Sequence, residues 1–249
     1  MSETLLRLDD VKVRRGSSIV LKNLHLELKQ GQLVLLNSAN GAGKSTIIEV
    51  AAGLLPLESG EVRHHNALLI DASGRSKRPK HAFGLTLQSD GCIGSQRVEE
   101  HLLNAMDLTD GRVDVTPWLE RYNLLHRRHD LVAHLSGGQR RKVAMLAGIL
   151  PGFVGEQAKL ILLDEPGAGL DEASRSKLVE DLHALRKRGH ALLVASHHAD
   201  FIECATAVFN GNEMIPNDVH ESEPLPHHDT KADVVRKHVA IRTSLALNQ

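Results

Sequence analysis

An α/β fold built on a parallel sheet follows from three features of this 249-residue chain. Two short, largely apolar runs, Lys159–Leu163 and Ala191–Ala195, are separated by an amphipathic helical stretch near Ala173–Arg188, and such strand–helix–strand alternation makes neighbouring strands parallel. A third apolar run, Leu33–Leu36, passes through a glycine-rich turn into a helical stretch over Lys44–Leu54. Ahead of it, Leu5–Val13 and Ile19–Leu28 alternate apolar and polar residues, as half-buried antiparallel strands do. The prediction is a parallel core with an antiparallel β unit at its N-terminal side.

Each element has its own reason. Arg15-Gly16-Ser17-Ser18 joins the first two strands as a hairpin turn, and in the second Leu24, Leu26 and Leu28 share one face while Asn23, His25 and Glu27 share the other. Gly31 turns the chain into Leu33-Val34-Leu35-Leu36, a run short enough for a strand buried on both faces. In the helix that follows, Ile47, Ile48, Ala51, Leu54 and Leu55 recur at helical spacing. Residues 61–87 read as further strands and turns, ending in Phe83–Leu87. Val98–Leu150 reads as mostly helical, broken near Asp110-Gly111 and Ser136-Gly137-Gly138. Ala205–Phe209 and Glu213–Ile215 flank Asn210-Gly211-Asn212, a closing hairpin. From Pro216 to Asp229 the chain turns polar, and Lys231–Leu247 reads as a short helix in an appended tail.

Composition narrows the function classes. A net charge of −1 gives no general attraction to nucleic acid or anionic membrane, so no direct nucleic-acid partner is expected. No stretch approaches the roughly eighteen apolar residues of a spanning helix, and Met1–Arg7 lacks a signal-peptide layout. Work at a membrane would require another chain. Cys92 and Cys204 read as two reduced thiols, and the sixteen histidines scatter from His25 to His238 without structural-zinc spacings, as solvated or core residues. His197 is the exception.

Asn40-Gly41-Ala42-Gly43-Lys44-Ser45-Thr46 supplies the physics of a phosphate-binding loop, although Ser38 stands where the strict pattern has its first glycine. Glycines let backbone N–H groups converge on an anion, and the following helix adds its own N-terminal N–H groups and dipole. Lys44 would reach terminal phosphates, and the Ser45 hydroxyl would ligate Mg²⁺. Lys159–Glu165 puts two carboxylates at the C-terminal end of a buried strand, where parallel sheets bind ligands. Asp164 would hold the metal, and Glu165 would align or deprotonate an attacking water.

Leu135-Ser136-Gly137-Gly138-Gln139-Arg140 resembles the signature of ATP-binding cassette (ABC) ATPases, 28 residues before Asp164. Gln88 resembles the family's glutamine loop, Gly169-Leu170-Asp171 the loop after the acidic strand, and His197 in Ser196-His197 the switch histidine. The resemblance covers roughly Leu5–Ile215. It implies a RecA-like phosphate-loop NTPase core with a helical signature subdomain: a cassette over residues 1–215, the subdomain at about 92–150, and a tail over 216–249. It also implies a second cassette, identical or different, packed head to tail. Ser136 and Gly138 would then meet the γ-phosphate of ATP held by the partner's loop, Gln88 would touch Mg²⁺ or the water, His197 would contact the γ-phosphate, and Asp171 would bridge the protomers. Three departures stand out. Ser38 and Ala39 replace Gly-Pro at the loop entrance, Gly167 replaces a Ser or Thr, and Arg15 takes the place of an aromatic that stacks on adenine, a task a guanidinium plane can share.

The family resemblance implies energy coupling: ATP and Mg²⁺ drive cassette closure, hydrolysis reopens it, and transmembrane permease subunits move the substrate. The chain would sit on the cytoplasmic face of the membrane through those subunits. A stand-alone soluble ATPase of the iron–sulfur-assembly kind is the alternative. Compactness between Gln88 and Ser136, with the non-aromatic Arg15-Gly16, points toward the haem-exporter cassettes of cytochrome c maturation.

Overall fold

Alternation in the first thirty residues produces the expected hairpin. In the computed structural model, which describes residues 2–37, 41, 43–89, 91–211 and 214–217, β1 (Thr4–Arg15) pairs antiparallel with β2 (Ser18–Lys29), setting Leu8 opposite Leu26 and Val13 opposite Leu21. Next come β3 (Leu33–Leu36) and α1 (Lys44–Ala51). β4 (Ser59–His64) and β5 (Ala67–Asp71) then extend the first sheet to the order β2-β1-β4-β5.

β6 (Gly84–Thr86) leads into the helical region, made of α2 (Val98–Asn104), α3 (Thr116–Arg121) and α4 (Gly137–Ile149). β7 (Leu160–Asp164), α5 (Glu172–Lys187) and β8 (Ala191–Ala195) follow, then β9 (Ala207–Phe209) and the antiparallel edge strand β10 (Met214–Pro216). The second sheet runs β10-β9-β3-β8-β7-β6, parallel from β9 to β6.

This parallel sheet divides the core in two, which is why its strands are apolar without alternation. Leu33, Leu35, Ile161, Leu163, Leu192 and Val194 pack with the helical region and α5. Val34, Leu36, Leu160, Leu162, Leu193 and Ala195 pack with α1 and the first sheet. α4 lies so close to β6 that a Cβ on Gly84 would stand 1.9 Å from the carbonyl oxygen of Gly148.

Two expectations need correction. α1 ends at Ala51 because the backbone turns at Gly53 (φ 72), which leaves Leu54 53% exposed instead of in the core. Val98–Leu150 is less helical than its pattern suggests. Turns around Gly111 (φ 126) and one-turn 3-10 segments at Leu125–Arg127 and Val132–His134 separate short helices. Much of the 216–249 tail, including Lys231–Leu247, and Asn212-Glu213 of the hairpin lie outside the described residues.

Candidate functional site

At the C-terminal edge of the parallel sheet lies a cleft of about 520 Å³. The start of α1 forms its floor. Gly43 holds a left-handed conformation (φ 88), and among the described residues no side-chain cap bond closes the start of α1, a helix N-terminus whose dipole suits an anion. A Cβ at Gly43 would also crowd Leu21 and Val20 side-chain atoms at 3.1 and 3.2 Å, on top of the strain of its positive φ. Lys44 opens the helix and is 9% exposed; Ser45, Thr46 and Gly41 line the cleft with it. Ser38, Ala39, Asn40 and Ala42 lie outside the described residues.

The opposite wall comes from the ends of β7 and β8. Their parallel register pairs Asp164 with Ala195, which brings Glu165 beside Ser196 and His197. Glu165 takes a positive φ (47), anchored by its N–H donating to the Ala195 carbonyl at 2.8 Å. Its carboxylate lies 3.0 to 3.1 Å from His197 Nδ1 and accepts from Ser196 Oγ at 3.4 Å. Glu165 and His197 both line the cleft, as does Gln88, which follows β6 and is exposed.

Asp164 is 2% exposed, and its Oδ1 has no hydrogen-bond partner among the described residues. Burial pushes its carboxyl up, opposed by the Ser45 hydroxyl; the neighbouring Glu165 charge raises it further, while Arg141 and the Gln88 backbone N–H lower it. A buried carboxylate oxygen beside the Ser45 hydroxyl, with Gln88 lining the same cleft as Ser45, supplies the oxygen donors that suit a hard divalent cation. The residues present fit Mg²⁺.

Arg15, at the end of β1, lines the mouth of the same cleft and pairs with Glu49 of α1. Ser136 and Gly138 do not line this cleft. Ser136 caps α4, its hydroxyl accepting from Gln139 N–H at 3.3 Å while Gln139 Oε1 accepts from Ser136 N–H at 3.0 Å. Its own O–H keeps a donor's role. Asp171 caps α5 through Ser174 N–H at 2.8 Å and pairs with Lys142 of α4 at 2.8 Å. Lys142 first, then Ser174, holds this carboxyl far below the usual carboxylate range.

One residue escaped the sequence reading. Arg141, 7% exposed, donates through Nη1 to the carbonyls of Leu87 (2.8 Å) and Gln88 (3.0 Å), and through Nη2 to those of Asp164 (3.0 Å) and Glu165 (2.5 Å). It binds the glutamine turn, the acidic turn and α4 into one unit. The available signal was its place on α4's buried face, four residues before Met145.

Residues 21–168 match the family model described as ABC transporter. The cytochrome c biogenesis ATP-binding export protein CcmA of Gluconobacter oxydans is 36% identical over 78% of this chain and 81% of its own length. The nucleoside import ATP-binding protein NupA of Lactococcus lactis is 29% identical over 81% of this chain, which spans only 40% of that protein's length. A solved structure, titled as the ATP-binding subunit of an ABC transporter, shares the fold, with a TM-score of 0.70 at 24% identity over 94% of this chain and 93% of that one. With a family match over more than half of its length, and with the phosphate loop, acidic strand end and histidine gathered around one cleft, the chain belongs to the ABC transporter family as one of its ATP-binding chains.

Proposed function

We propose that this chain binds Mg-ATP in the cleft, hydrolyses it together with a second cassette, and couples the cycle to a separate membrane permease. The observation that carries the reading is Glu165 held against His197 across from Lys44, beside the bare oxygen of Asp164. Lys44 and the first N–H groups of α1 would bind the phosphates. Ser45, Asp164 and Gln88 would hold Mg²⁺, which supplies charge neutralisation of the phosphate oxygens when bound. Glu165 would accept the proton of the attacking water, with His197 fixing the carboxylate and facing the γ-phosphate. Arg15, oriented by Glu49, would stack on the base above Val20.

The position of Ser136 supports a two-cassette site. Standing outside its own chain's cleft with an O–H to donate, it would serve a nucleotide held by a partner cassette, identical or different. A permease partner is supported by a second cleft of about 370 Å³ between the sheet edge and the helical region. Phe83, Leu87, Ile93 and His101 line it next to Gln88, and Ile93 is 52% exposed. Among the described residues no helix is long and apolar enough to cross a membrane, so the permease would hold this chain peripherally, on the cytoplasmic face. Similarity to CcmA over most of both chains favours an export partner of the cytochrome c biogenesis kind over a stand-alone assembly ATPase.

ATP turnover and self-association of wild type beside Glu165→Gln test the proposal. Loss of a general base lowers turnover by roughly 10²–10⁴, while the ATP-dependent dimer persists. Full turnover in the variant would remove Glu165 from its role, and copurification with soluble scaffold proteins alone would remove the permease.

A further inference from the structure

The nucleotide reading uses Glu165 and His197 but leaves the neighbouring His198 without a task. The two imidazoles stack, centroids 4.3 Å apart and planes 30° to one another. Taking one ligand atom from each of Glu165, His197 and His198, all three lie within 4.8 Å of one another. Among the described residues this is the only group of three or more His, Cys, Asp or Glu so arranged. We propose that Glu165, His197 and His198 form a binding site for a zinc-class divalent transition ion in the nucleotide-free chain.

Geometry and chemistry both favour it. Ligand atoms around a tetrahedral zinc with bonds of about 2.0–2.1 Å stand about 3.3 Å apart. The Glu165–His197 pair is already at 3.0 to 3.1 Å. Closing the third corner needs a shift of at most about 1.5 Å against that 3.3 Å target, within reach of two imidazoles of which one is 60% exposed and the other half-buried. Two nitrogens and one carboxylate oxygen, with a fourth position open, form a donor set that suits zinc or copper over the oxygen-seeking Mg²⁺.

The support around the ligands is in place. Ser196 Oγ accepts from the His198 backbone N–H at 3.2 Å and donates to Glu165 Oε2 at 3.4 Å, holding two of the three ligands to one hydroxyl. Of the neighbouring guanidinium groups, Arg175 is paired with Asp200 at 2.9 Å and Arg141 donates to backbone carbonyls, that of Glu165 included. One consequence rests on the roles proposed above: an ion on Glu165 and His197 removes both from the attacking water and the γ-phosphate, and turnover stops.

The test titrates ZnCl₂ into the full-length, nucleotide-free chain by calorimetry, with Co²⁺ as an absorbing probe of tetrahedral coordination. Wild type is compared with His198→Ala and with His198→Gln, which keeps the bulk against Phe201. The tightest zinc transition should weaken at least tenfold in both variants, and the tetrahedral cobalt bands should vanish. Adding zinc to Mg-ATP assays should depress wild-type turnover far more than that of either variant. Equal zinc affinity and stoichiometry in all three chains would overturn the proposal, placing the ion on other histidines such as His227-His228. A chain without turnover under any condition would instead count against the ATPase reading, while the zinc titration would still decide this site.

Discussion

Gly84 and Gly148 face each other across the contact between β6 and α4, and a methyl group on either has nowhere to go. A Cβ on Gly148 would lie 2.0 Å from Thr86 Oγ1 and 3.2 Å from the Leu85 carbonyl group. Thr86 can rotate away, but it is 3% exposed and would lose the bond it donates to the Ala144 carbonyl at 3.3 Å. An orphaned buried hydroxyl costs about 1–3 kcal/mol, and the remaining crowding adds a comparable overpacking strain. Gly148→Ala should therefore lose about 2–6 kcal/mol. Gly84→Ala is worse, because the 1.9 Å clash is with backbone and α4 must move off the sheet to relieve it. For a chain of this size each kcal/mol lowers Tm by about 2–4 °C, so Gly148→Ala should melt roughly 4–24 °C early, and Gly84→Ala earlier still. Calorimetry or dye-monitored melting reads this directly. Either variant melting with the wild type, or the reverse order, would refute the close-contact argument.

Arg141→Met should lower both stability and turnover, since it strands four carbonyls at the acidic and glutamine turns, and unfolding beside single-turnover assays would show it; unchanged turnover would separate Arg141 from the site. Tyr122→Phe removes the buried hydroxyl that donates to Asp181 at 2.6 Å, and a loss of about 1–3 kcal/mol is expected in denaturant unfolding. Acid sensitivity has an identifiable source in His64, which is 5% exposed and bonded to the Ala51 carbonyl at 2.7 Å. Burial pushes its pKa from 6.5 to about 4, against the opposing backbone bond. The unfolded chain takes up a proton below about 6.5 while the folded one refuses it until about 4. Stability is thus full above that window and falls across it, by on the order of 3 kcal/mol for a depression of this size. His64→Gln should flatten the slope, leaving the share due to His190, also pushed down to about 4 by burial; an identical pH profile would count against His64.

Sequence periodicity revealed the strands because burial dictates it. The runs at β3, β7 and β8 are apolar on both faces, and the N-terminal hairpin alternates because one of its faces meets solvent. Residues lining the cleft were legible where motif and backbone coincide, at Gly43-Lys44-Ser45 and Glu165. Helix length between Val98 and Leu150 was not, because apolar spacing also suits one-turn segments packed under loops. Arg141 was hidden for a different reason. Its charge reads as surface, whereas its value lies in four carbonyls contributed by turns 23 to 54 residues away. Likewise no spacing rule joins His198 to Glu165; the register of two parallel strands does.

Mechanically, the guanidinium of Arg141 makes α4 an extension of the sheet rather than a mobile neighbour. On the proposed roles, a displacement of the acidic turn as a phosphate arrives or leaves would pull on α4 one turn from its cap, and the hydroxyl of Ser136 would move with it. Slack between the helical region and the sheet must then be sought elsewhere, in the turns around Gly111 and between α2 and α3. In the proposed two-cassette arrangement, the chain would report the state of its own cleft to the partner as a rigid push rod, not as a loosening hinge.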